Sequence, residues 1–170
     1  MNNSIGKNII LIIGVFALQI LVLNDLNISQ YLLPFIYPIL LLGAKRNINQ
    51  SLFLVLGFCL GLFMDIFSNT GAANALACLV LVFCRPFFLG SIGPMDMGSE
   101  AIRPTIYNIG TKGYVGYATF LLLIHHLVFF FLDVFTFINV FDTILRVIVS
   151  LFFSLILIML CQFVFVNKGK

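Results

Sequence analysis

Charge is what this chain most conspicuously lacks. Asp, Glu, Lys and Arg make up only 9% of its 170 residues, against 62% hydrophobic, and the mean hydropathy is +1.16. A water-facing surface carries roughly 25–35% charged residues, so a soluble domain is excluded and the solvent is lipid. The net charge of +3 is small and forms no patch, which excludes nucleic acid as a partner. Catalytic signatures are missing too: there is no GxSxG, no Walker A sequence, no HExxH, and no carboxylate pair at metal-binding spacing within an apolar stretch. The expectation is therefore a non-enzyme with no metal and no cofactor. The four cysteines, Cys59, Cys78, Cys84 and Cys161, lie inside apolar segments, where a small weakly polar side chain packs well.

What is present in abundance is long apolar runs, such as NIILIIGVFALQILVL at residues 8 to 23. In lipid every backbone polar group must be satisfied within the chain, and unbroken runs favour helices over the alternation of a barrel. Charge, Pro, Gly and Asn divide the sequence into six stretches, at about 8–23, 29–44, 51–67, 71–89, 115–137 and 143–166. Each approaches the ~20 residues a bilayer requires. The fold class expected is an all-α integral membrane protein, a single domain of six transmembrane helices. The second stretch is the weakest, because Pro34 and Pro38 kink it or break its start.

Lys7, Lys45, Arg46, Arg85, Arg103, Lys112, Lys168 and Lys170 all fall on one side if the spans alternate, and only Arg146 falls on the other. Positive residues mark the cytoplasmic face, so both termini are expected there. The first stretch lacks a clear cleavage site and reads as a retained span. Connections on the opposite side are a few residues long, which implies tight helical hairpins. The one substantial connection, residues 90–112, is cytoplasmic and rich in Gly and Pro; it reads as a solvated connector or a partner-contacting loop, with a short turn at SEAIRPT where Glu100 and Arg103 share a face. Asn27-Ile28-Ser29 matches a glycosylation sequon without further support.

Polar residues within spans are costly and become site candidates. Gly57, Gly61 and Asp65 are spaced by four, on one face drifting by about 40° per step. Two glycines four apart admit a neighbouring helix closely, so a packing seam leads to the carboxylate. Asp65 is placed to cap the hairpin, accepting from Asn74 or from the amides opening the fourth span; contact with a partner or ligand, or ion translocation, are the alternatives. In the fifth span His126 and Asp133 are seven apart and nearly on one face, separated by roughly 10 Å, while His125 points about 100° away. Interior packing suits these histidines better than metal ligation.

The pattern of Gly57, Gly61-Leu62 and Asp65 followed by SNTGAANALA, then Arg85-Pro86-Phe87-Phe88 and the paired histidines, resembles the MreD family of rod shape-determining membrane proteins, in the form found in the Bacteroidetes group. The likeness covers the chain in length, spans and polar placement. It implies a non-enzymatic scaffold of the peptidoglycan-elongation machinery, the elongasome, in the bacterial inner (cytoplasmic) membrane, maintaining cell shape. Its implied partners are a bitopic MreC-like protein, with RodA, its transpeptidase and MreB filaments alongside. The family aspartate and glycines fall on Asp65, Gly57 and Gly61. The family core also resembles the substrate-binding component of energy-coupling-factor transporters, so the alternative is a vitamin-like small-molecule binding subunit.

Overall fold

A computed structural model of the chain describes residues 2–24, 31–91, 103–134 and 140–165. Among these the architecture is all-helical: α1 (Asn2–Leu18) continuing into a π-turn (Gln19–Leu23), a four-residue α2 (Ile39–Leu42), α3 (Gln50–Ser68), α4 (Ala73–Ser91), α5 (Ile106–Val134) and α6 (Val140–Phe165). Helices α3 to α6 pack consecutively, and the π-turn touches α3. Among the described residues, four helices are long and apolar enough to cross a membrane, while the apolar run Ile10–Leu23 is shorter. The protein is membrane-embedded, and many of its outward side chains are large and apolar, such as Ile66, Phe141 and Phe152.

Local chemistry sets the boundaries. Asn49 caps α3, its side chain accepting from the Leu52 amide at 3.2 Å, and Asn69 closes the helix in the left-handed conformation at φ 55°. Pro86 lies inside α4 and cannot donate to the Val82 carbonyl one turn back; the Gln50 side-chain amide on α3 fills that acceptor at 3.0 Å. The helix therefore runs on past Arg85 to Ser91. Gly110, at φ 72° and ψ 159°, breaks α5 near its start, so a single turn from Ile106 leads into the long helix.

Among the described residues the expected second transmembrane helix is not formed. Tyr31 lies in a turn, residues 32–36 form no helix and their polar groups alternate in direction as in extended chain, and only Ile39–Leu42 is helical before Gly43. Pro34 drives Leu33 away from helical backbone and supplies no amide hydrogen, and Pro38 would leave the Pro34 carbonyl unfilled in any helix. The segment is nonetheless buried, with Phe35, Ile36, Tyr37 and Leu42 at most 2% exposed. Helix α5 begins at Ile106, inside what reads in the sequence as a connector from 90 to 112. The sequon at Asn27, Glu100 of the expected interfacial turn, and Lys168 and Lys170 lie outside the described residues.

Candidate functional site

The polar side chains that a lipid-soluble chain can least tolerate converge on the segment between α1 and α3. At one end of it stands Asp65, in the last turn of α3. Its Oδ1 accepts from the Thr70 hydroxyl at 2.5 Å, the Asn74 amide at 2.9 Å and Asn74 Nδ2 at 3.1 Å, and its Oδ2 accepts from the Ala75 amide at 2.9 Å. One carboxylate thus caps the N-terminus of the following helix, where negative charge is favoured. The turn between them is tight, with Gly71 at φ 53° and even Ala72 at φ 73°.

Gly57 and Gly61 explain how α4 comes near enough to be capped. A methyl group added at Gly61 would strike the backbone of Asn74 and Ala75, its carbon 2.5 Å from the Asn74 carbonyl oxygen. At Gly57 it would lie 2.7 Å from a Val82 methyl. The glycine seam read from the sequence is therefore filled by the chain's own α4, and it is not an open surface for a partner helix.

From Asp65 a chain of hydrogen bonds runs inward. Asn74 turns its amide nitrogen to Asp65 and Thr70, which leaves its Oδ1 to accept from the Tyr37 hydroxyl at 2.8 Å. The Tyr37 oxygen then lies 2.7 Å from His125 Nε2, and since its one hydrogen is used, it accepts from Nε2–H. Next door, His126 Nδ1 sits 2.7 Å from the Leu122 carbonyl, which can only accept, so this ring carries its proton on Nδ1. Its Nε2 accepts from Ser154 at 3.1 Å. The adjacent histidines, both fully buried, are thus assigned opposite tautomers by what surrounds them.

The extended backbone is flanked by side chains that stand in for neighbouring strands. On one side, Ser150 accepts from the Leu33 amide at 3.0 Å and donates to the Tyr31 carbonyl at 3.2 Å, and Ser154 accepts from the Phe35 amide at 2.8 Å. On the other, the Gln19 carboxamide accepts from the Ile36 amide at 2.7 Å and donates to the Pro34 carbonyl at 3.2 Å. This division follows the two-residue alternation of extended chain. Gln19 also donates to Asn24, which donates to Ser68 at the end of α3, so α1 is tied to both.

At the far end, Arg85 serves the carbonyls that follow α2. It is 2% exposed, lies with its guanidinium 5.2 Å from the centre of the Phe53 ring, and donates to Ala44 and Lys45 carbonyls and, at 2.8 Å, to the Tyr117 hydroxyl. Tyr117 passes its own hydrogen to the Leu42 carbonyl at 2.9 Å. Arg85 thus supplies donors to carbonyls that no helix satisfies.

Of the residues singled out in the sequence, Gly57, Gly61, Asp65, Asn74 and His126 belong to this one assembly, and Asp133 does not: it is exposed near the end of α5. Gln19, Tyr37, Tyr117, Ser150 and Ser154 escaped sequence reading, and Arg85 reads in the sequence only as a positive charge at a span's end and as part of the resemblance. A signal existed for some of them. Thr143, Val147, Ser150, Ser154, Ile158 and Gln162 form the buried stripe of α6 at helical spacing, four of the six polar in an otherwise greasy helix. No family model, no curated protein and no solved structure matches the chain.

Proposed function

We propose that this protein is a non-catalytic scaffold of the bacterial inner membrane, crossing it six times, once through the largely non-helical segment 31–45, with both ends in the cytoplasm, and acting in cell-wall elongation in the manner of the MreD family. The observation that carries the non-catalytic part of this reading is where the buried polar groups go. Gln19, Asn74, Arg85, Ser150 and Ser154 are directed at the chain's own backbone and at one another, which suits a rigid framework better than a cavity that takes a ligand. Tyr37, His125 and His126 are fully buried at the centre of this hydrogen-bonded assembly. The topology is supported by the exposed cations Lys45, Arg46, Arg103 and Lys112, which lie near the ends of the elements that meet around Arg85 and Tyr117. The wall-elongation role rests on the family resemblance.

Recognition of a bitopic MreC-like partner then falls to the outward faces, because α4 occupies the glycine seam. Photo-crosslinking residues placed at Ile66 of α3 and Phe153 of α6, both exposed, test this in the native host. The expected result is a crosslink to an MreC-like protein, with rods turning to spheres when the scaffold is depleted. Depleted cells that stay rod-shaped, with no such protein recovered, would refute the reading. A vitamin-like molecule retained through purification would move the assignment to a transporter subunit.

A further inference from the structure

Asp133 and Arg146 stand apart from the interior assembly, at the end of the α5–α6 contact, and bring a different chemistry there. His126 bonds Ser154 across the α5–α6 contact, so the antiparallel register sets Asp133, seven residues further along α5, level with Val147 and next to Arg146. The charge of Arg146 bears electrostatically on Asp133. Arg146 Nε is nevertheless buried with no hydrogen-bond partner among the described residues. Buried guanidinium donors are rarely left unfilled. Asp142, one turn before Arg146 on α6, is also exposed, so this end of the helix pair carries two carboxylates and one guanidinium. The neighbours Ile144, Leu145 and Ile148 are exposed and apolar, which puts the group against lipid.

We propose that Arg146, with Asp133 and Asp142 at its rim, is a headgroup site for a zwitterionic aminophospholipid, with Arg146 donating to the phosphate and the carboxylates accepting from the primary ammonium. The guanidinium supplies the fork geometry that phosphate oxygens accept. The surplus of negative charge disfavours an anionic headgroup, and a quaternary ammonium has no hydrogen to give the carboxylates. The site is thus selective for phosphatidylethanolamine over phosphatidylglycerol and over phosphatidylcholine.

The test is competitive retention of lipid by the full-length purified protein, read by native mass spectrometry from mixed micelles containing equal phosphatidylethanolamine, phosphatidylglycerol and phosphatidylcholine. Phosphatidylethanolamine is expected to be retained in preference to both. Arg146→Gln should lower its retention roughly tenfold, the loss of about one charge-assisted hydrogen bond. The double variant Asp133→Ala with Asp142→Ala should erase the preference over phosphatidylcholine while leaving phosphate binding in place. Soluble phosphoethanolamine added in excess should not displace the lipid; displacement would assign the site to a free phosphorylated amine instead. Melting of both variants in lipid-free detergent controls for folding. Equal retention of the three lipids, or variants that lose stability in lipid-free detergent but keep the wild-type lipid preference, would overturn the proposal and leave an internal ion pair. Loss of a co-purifying protein with Arg146→Gln, without change in lipid, would overturn it in favour of a protein contact.

Discussion

The α3–α4 hairpin and the segment 31–45 solve the same problem in opposite ways. Both put backbone at a depth where water cannot serve it. The hairpin does so locally: each helix satisfies its own ladder except at Pro86, where Gln50 of α3 serves the Val82 carbonyl, two glycines let the helices meet, and Asp65 caps amides that open α4. The segment 31–45 has no ladder over residues 31–36 and takes its partners from Gln19 on one side, Ser150 and Ser154 on the other, and Arg85 at its end. Those partners lie up to 119 positions away in the sequence. A local solution tolerates change almost anywhere except the contact itself, whereas a borrowed one depends on several distant side chains, each contributing modestly.

That contrast is broken most severely at Gly61. Gly61→Leu forces backbone from backbone and is expected to cost more than about 4 kcal/mol, enough to abolish the monodisperse peak in detergent size-exclusion chromatography. Asp65→Ala comes next. It strands the Asn74 and Ala75 amides, and a loss of about 3 kcal/mol should appear in chemical unfolding, with Asp65→Asn intermediate because one oxygen remains. Gln19→Leu removes an acceptor and a donor from the extended chain for about 2 kcal/mol. Ser154→Ala removes one acceptor for about 1 kcal/mol. Both should speed hydrogen exchange at Phe35 or Ile36 while leaving α3 amides unchanged; uniform acceleration would mean that the segment is not a separate unit. Gly14→Ala, with open space around the new methyl, should leave the melting temperature where it was.

Much of the hairpin could be read in advance, since spacing of four places Gly57, Gly61 and Asp65 on one face and the polar turn follows directly. Its capping of Asn74 and Ala75 is a contact between near neighbours, which local pattern describes well. The sequence was equally clear that the chain lives in lipid, because composition alone settles that. Tyr37 was opaque: an aromatic between two prolines carries no sign that Asn74 and His125 will meet its hydroxyl. Arg85 was misleading. A cation near a span's end reads as a topology marker, yet here it is buried and spends its donors on carbonyls.

What the sequence determined by itself was the solvent, the helical class and the approximate boundaries of α3, α4 and α6, because hydrophobic run length and turn chemistry act over a few residues; α5 starts well before the span read from residue 115. What only the tertiary structure decided was the conformation of residues 31–36. Their apolar composition permits a spanning helix and their prolines oppose it. Extended chain is stable at that depth only because α1 and α6 arrive with polar side chains at matching heights, a coincidence of position that no local stretch encodes.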